Sequence, residues 1–150
     1  MPDDRPPEAP KGPVLGLDLG QSRIGVAISD PGRRMAVALG TIRTGAPEDV
    51  KAIAALVKEH GVSQIVVGHP LSLSGESGEA AEHAERFAEA LRGFLGTSVV
   101  LHDERLSTVE AARGLSDAGV DRRRRRDVID QAAAVVILQS YLDGLYSLPD

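Results

Sequence analysis

Val14-Leu15-Gly16-Leu17-Asp18-Leu19-Gly20-Gln21-Ser22-Arg23-Ile24-Gly25-Val26-Ala27-Ile28 is the stretch that decides the fold. Its two apolar runs, 14–19 and 24–28, have the length and composition of strands. Gly20-Gln21-Ser22-Arg23 is all that separates them. A connection that short joins antiparallel neighbours, so the stretch reads as a β-hairpin. Asp30-Pro31-Gly32 stops the second run, and residues 35–42 supply a third strand of the same meander.

Downstream the pattern alternates. Pro47 stands at a helix start, Val50, Ile53, Ala54, Leu56 and Val57 follow at helical spacing, and Gly61 closes the segment. Residues 64–67, Gln-Ile-Val-Val, are a fourth strand ending at Gly68. A loop with Pro70, Gly75 and Gly78 leads into an alanine- and glutamate-rich helix over 78–95. Ala80, Ala84, Phe87, Ala88, Leu91 and Leu95 form its expected inner face. Residues 98–102 are a fifth strand, and helical patterns return over 108–118 and 127–145. The order βββαβαβαα predicts an α/β fold: a mixed five-stranded sheet, three strands in an antiparallel meander plus two parallel strands, with helices on both faces.

At 150 residues the chain suits one domain, expected over 13–146. Residues 1–12 are polar and proline-rich, without the apolar stretch of a signal peptide, and read as a disordered lead-in. Aromatic residues make up 3% of the chain, so aliphatic side chains and alanine must fill the core. The same scarcity excludes an aromatic base-stacking platform. The absence of cysteine excludes disulfides, a thiolate nucleophile and thiolate metal ligation, and fits a reducing cytoplasm. No apolar run approaches the ~20 residues that span a bilayer, so no membrane partner is expected.

The net charge of −5 argues weakly against a polyanion partner, but the charge is uneven. Residues 76–89 hold five glutamates (76, 79, 82, 85 and 89), and the helix face over 79–89 is expected to be solvated and to keep nucleic acid away. Arg122 to Arg126 are consecutive, placed between two helical patterns, and read equally as a nucleic-acid patch or a solvated loop.

Asp18 lies inside an apolar strand, where a carboxylate is costly unless paired, hydrogen-bonded or bound to a metal. Its Asp-x-Gly setting removes bulk that would keep a phosphate or metal from the backbone. Asp103-Glu104-Arg105 follows the fifth strand, where functional groups gather; strand alternation would let at most one of the two acids join Asp18. Ser107 and Glu110 read as a helix-capping box. Asp127 reads as the N-cap of the last helix and Asp130 as a first-turn acid beside the apolar run from Ala132 to Leu138. If Asp18 and an acid from each of these two segments converge, hard oxygen donors of this kind suit Mg²⁺ or Mn²⁺ and metal-assisted phosphodiester cleavage.

Other polar residues fall into place around them. The glycine-flanked loop 68–75 presents backbone amides and hydroxyls suited to a phosphate backbone. Arg23, after the Asp18 turn, can hold a phosphate or steady an acid. His69 alone is weak evidence for a general base; His60, His83 and His102 have ordinary structural roles.

Four ordered segments carry a family resemblance. They are Leu15-Gly16-Leu17-Asp18-Leu19-Gly20 with Arg23-Ile24-Gly25-Val26-Ala27, then Val66-Val67-Gly68 with Pro70-Leu71. Next comes Asp103-Glu104-Arg105-Leu106-Ser107-Thr108-Val109-Glu110-Ala111, and last Ile129-Asp130-Gln131-Ala132-Ala133-Ala134 through Leu142. Together they resemble the YqgF family of pre-16S ribosomal RNA nucleases, also described as Holliday-junction-resolvase-like. The resemblance implies a ribonuclease-H-like fold with the first strand central, and a bacterial cytoplasmic, metal-dependent nuclease that trims the 5′ end of the 16S precursor. It implies Asp18, Glu104 and Asp130 as the catalytic and metal-binding acids, with Mg²⁺ or Mn²⁺. The substrate contacts expected beside them are Arg23, Gly68, Pro70, Ser72, Arg105, Arg124 and Arg125. Where the family's loop often reads Gly-Leu-Pro-Leu-Asn, this chain has Gly68-His69-Pro70-Leu71-Ser72.

Structured RNA and branched DNA are both compatible partners, with the protein a monomer or a homodimer. A junction resolvase must cut two strands symmetrically and should be a two-fold dimer. A ribosome-assembly or transcription factor with little catalysis is a further alternative. A sugar-kinase-like ATP enzyme would need a second comparable domain, for which the chain is too short.

Overall fold

The computed structural model describes residues 12–109 and 122–146, with the backbone alone for 122–128. Five strands form one sheet: β1 (Val14–Leu19), β2 (Arg23–Ser29), β3 (Ala36–Arg43), β4 (Gln64–His69) and β5 (Ser98–Asp103). Their spatial order is β3-β2-β1-β4-β5, so β1 is central. β1 to β3 form the antiparallel meander, and β4 and β5 add in parallel beyond β1.

Strand alternation sorts the side chains onto two faces. Leu15, Leu17, Ile24, Val26, Ile65, Val67 and Val99 point to one core. That core is completed by Ile53 of α1 (Glu48–His60) and by Ala84, Phe87, Ala88 and Leu91 of α2 (Glu79–Leu95). Val14, Ala27 and Val66 point to the opposite face, against Ala133, Ala134, Ile137, Leu138 and Leu142 of α3 (Arg122–Leu145). Helices therefore cover both faces, as the sequence pattern requires.

Small residues decide how closely α3 lies on the sheet. A Cβ added at Gly16 would sit 2.7 Å from Leu138 Cβ, and one at Gly25 would sit 2.0 Å from the Asp130 carbonyl oxygen. Those separations are well inside van der Waals contact, so these glycines create the seat of the helix. At the hairpin turn, a Cβ on Gly20 would lie 2.6 Å from the carbonyl oxygen of Arg23, which accepts the Gly20 N–H at 2.8 Å.

Three expectations need correction. The arginine run is no inter-helix loop: Arg122 to Arg126 open α3 itself. Asp127 is therefore inside the helix and not its N-cap, and Asp130 lies more than two turns from the start rather than in the first. On α2, Ala81 joins the core and Ala80 stays exposed, a rotation of one position on the inner face. The helical pattern over 108–118 and the Glu110 half of the capping box lie largely outside the described residues, as does the lead-in before residue 12. Ser107 Oγ does accept from the Val109 N–H at 3.4 Å.

Gly25→Ala is expected to cost about 1–3 kcal/mol or more, the range for overpacking a tight contact. Gly93→Ala, in α2 with nothing within 4 Å of the new methyl, is expected to stabilise by about 0.5–1 kcal/mol. Urea unfolding of both variants measures the contrast; a Gly25→Ala protein as stable as its parent contradicts the close seating of α3.

Candidate active site

The site is built at the carboxyl ends of β1, β4 and β5, on the face that α3 covers. Asp18 is the last α3-facing residue of β1 and pairs directly with Gly25 of β2. Cross-strand partners share a face, so the bare backbone at Gly25 lies beside the Asp18 carboxylate. α3 uses that gap to bring Asp130 alongside. Across β1, the parallel register carries on from Leu17 paired with Val67, which sets Gly68 next to Asp18. A Cβ at Gly68 would lie 2.9 Å from Glu104 Oε2. The missing side chain is thus the space the Glu104 carboxylate occupies.

β5 ends at Asp103, and a 3₁₀ turn (Glu104–Leu106) swings the next residue inward. Asp103 and Glu104 consequently part company. Glu104 is 8% exposed and Asp18 is 4% exposed. Both border one cavity of about 320 Å³, together with Asp130, Gly68 and Pro70. Among the described residues, no three carboxylate or imidazole groups are drawn tightly enough together to hold an ion as they stand. The three acids line the walls of the cavity.

Asp103 instead braces the loop. Its carboxylate accepts from Arg105 Nη2 at 2.6 Å and from Arg105 Nε at 3.0 Å. Arg105 Nη1 reaches the Leu73 carbonyl at 3.4 Å, which ties the 70–78 loop to the end of β5. The Arg105 guanidinium holds the Asp103 carboxyl below its ordinary 3.8, and the bond raises Arg105 in turn. His69 points to the other face and meets Glu85 Oε1 at 3.1 Å, which also accepts from Ser77 Oγ at 3.0 Å. A general-base role in the cavity does not suit that placement.

The remaining expected contacts separate. Gly68 and Pro70 border the cavity. Ser72 is exposed; its hydroxyl meets Ser74 Oγ at 2.9 Å and accepts the Glu76 N–H at 3.1 Å, so it shapes the loop. Arg23 opens β2 beyond the hairpin turn. Arg124 and Arg125 belong to the backbone of α3's beginning, and their side chains lie outside the described residues. Residue-by-residue reading missed Ala80 and Ala84, which wall the cavity from α2. Their i, i+4 spacing was visible, but was read wholly as core. His102 is held at the other end of α3, its Nε2 2.9 Å from Ser140 Oγ, and burial lowers its pKa from 6.5.

Residues 12–144 match the family described as RuvX: Holliday junction resolvase. The chain belongs to this family. Three similar proteins, from Myxococcus xanthus, Pelotomaculum thermopropionicum and Bacillus cytotoxicus, each carry the name "Putative pre-16S rRNA nuclease". They are 48%, 48% and 45% identical, over 87% of this chain in each case and 87%, 86% and 98% of their own lengths. Among solved structures, Thermus thermophilus RuvC in complex with a Holliday junction substrate aligns with a TM-score of 0.51 at 16% identity. The alignment covers 93% of this chain and 99% of that one, and shows a shared ribonuclease-H-like fold. All four sequence segments that carried the resemblance contribute to the cavity of this RuvX-family chain, and α2 adds Ala80 and Ala84.

The Asp103–Arg105 brace has a pH signature. A carboxyl with a depressed folded pKa contributes stability above its unfolded pKa and loses it as pH falls through the folded value. NMR titration of the Asp103 carboxyl is expected to give a midpoint below 3.8, and Arg105→Ala is expected to return it upward. An unchanged midpoint in the variant contradicts the brace.

Proposed function

We propose that the chain is a divalent-metal-dependent endonuclease that matures the 5′ end of precursor 16S ribosomal RNA, with Asp18, Glu104 and Asp130 as its catalytic acids. The observation that carries the reading is that these three carboxylates, from a central strand, a strand end and a helix, border one cavity in a RuvX-family chain. The naming of its relatives as pre-16S rRNA nucleases supports the choice of substrate. Such a substrate places the protein in the cytoplasm. Among the described residues no helix is long and apolar enough to cross a membrane.

The residues fit a hard divalent cation. Three oxygen donors with no sulfur or imidazole among them suit Mg²⁺ or Mn²⁺. The cradle at Gly68, which a Cβ would fill, leaves the Glu104 carboxylate its place on the cavity wall. When bound, the ion supplies an activated water and neutralises charge on the phosphodiester oxygens. Asp18 is the fixed point, because the central strand that carries it is hydrogen-bonded on both edges. Glu104 and Asp130 offer donors from the 3₁₀ turn and from α3. Gly20 and Gly68 keep the walls low, so a strand can approach the backbone. The braced 70–78 loop holds Pro70 at the rim.

Purified protein and its Asp18→Asn variant, incubated with 16S precursor RNA, single-stranded RNA and four-way-junction DNA, test this. Wild type with Mg²⁺ or Mn²⁺ is expected to cut the precursor, and chelator to stop it. Asp18→Asn is expected to lower the rate by more than about 100-fold, beyond the 10–100-fold of groups that only support a metal ligand. Cutting confined to junction DNA, by a two-fold dimer, would move the assignment to a resolvase. Equal cutting by the variant would remove Asp18 from the chemistry.

A further inference from the structure

A second trough opens beside the acid cavity. It has a volume of about 570 Å³ and shares Leu19, Gly20 and Ala80 with the cavity, so the two run into each other across the hairpin turn. Its far walls are polar: Gln21 and Thr44 on one side, His83 and Arg86 of α2 on the other. Thr44 is strapped to the turn, its N–H donating to the Ser22 carbonyl at 3.0 Å and its hydroxyl to the Gly20 carbonyl at 3.4 Å. His83 leans on Phe87, ring centroids 6.3 Å apart. Thr44 is thus tied to the hairpin turn, and His83 to a core side chain.

The charge of this trough differs from what the acidic helix suggests. Glu85 of α2 is engaged with His69 and Ser77, and Glu89 with Arg92 at 2.8 Å. Arg86 borders the trough and forms no ion pair among the described residues. Glu79 also borders it, but on the first turn of the helix, at the end away from Arg86. Ala80 and Arg86 are six residues apart on α2, about 9 Å along the axis at 1.5 Å per residue. That span equals about two to three stacked nucleotides at the ~3.4 Å rise of one strand.

We propose that this trough is a strand-binding subsite, in which Arg86 pairs a phosphate a few nucleotides from the scissile bond while Gln21 and Thr44 meet the intervening backbone. The inference rests on the nuclease reading of the adjoining cavity and extends it to the path of the strand. It revises the expectation that nucleic acid keeps clear of the second helix: Glu85 and Glu89 are paired, Glu82 does not line the trough, and Glu79 borders it only at the far end of the stripe formed by Ala80, His83 and Arg86. The lining holds no Phe, Tyr or Trp, so the subsite is assigned to the strand's backbone rather than to a stacking platform.

Fluorescence anisotropy with labelled single-stranded RNA and DNA of one sequence, in chelator over a series of salt concentrations, tests the subsite without cleavage. Arg86→Ala is expected to weaken binding of both strands several-fold and to reduce the slope of log affinity against log salt by about one, the signature of one lost phosphate contact. Arg86→Lys should keep the slope, and Lys58→Ala, on α1, should leave both affinity and slope at the wild-type level. Circular dichroism melting is used to confirm that Arg86→Ala is folded. Wild-type affinity and slope in folded Arg86→Ala would overturn the subsite and leave the nuclease reading standing. A loss confined to RNA would overturn the phosphate assignment. A wild-type protein that binds neither strand would overturn both.

Discussion

A missing side chain is the constraint on which the rest depends. Gly25 pairs with Asp18 across the hairpin, and at Gly25 the backbone of α3 comes closer to the sheet than any Cβ would allow. That contact fixes the height and the phase of α3, and with them the position of Asp130. Gly16 repeats the arrangement further along β1, where Leu138 fills the gap. Gly68 repeats it on the other side of Asp18, where the Glu104 carboxylate fills it. Each acid of the cavity is thus placed by a glycine or beside one. The cost of small residues in a sheet, lost packing and lost backbone entropy, is offset by the aliphatic core on both faces.

Much of this was legible in the sequence. The hairpin, the alternation of helices and strands, and the buried carboxylate at Asp18 follow from hydrophobic period and turn chemistry. The two-face sorting follows as well, since one residue's shift in register would turn Leu15 and Leu17 away from α2. What the pattern could not supply was convergence. Asp18, Glu104 and Asp130 are far apart in the chain, and only the seating of α3 and the 3₁₀ turn bring them to one cavity. Alternation alone could not choose between Asp103 and Glu104, because the choice is made by the turn that begins after β5. The family resemblance implies Glu104, and the 3₁₀ turn is what puts Glu104 rather than Asp103 on the cavity wall.

The misreadings have a common cause. The five arginines lie between two helical patterns in the sequence, a place that suits a loop, yet helix α3 starts there, and its apolar half packs against the sheet along several turns. Packing of that length outweighs local charge preference. On α2, the glutamates drew attention from the stripe of Ala80, His83, Ala84 and Arg86 between them. Periodicity marks which face is buried, but not which part of the remaining surface borders a groove.

The central claim is that the carboxylates of positions 18, 104 and 130 act as one ligand set. Titration of Mn²⁺ into the apoprotein, followed by the loss of the free-ion electron paramagnetic resonance signal, measures that directly and needs no nucleic acid. The account predicts saturable binding by the wild-type chain, weakened at least about tenfold by Glu104→Gln and by Asp130→Asn alike. Binding that either substitution leaves at wild-type strength contradicts it.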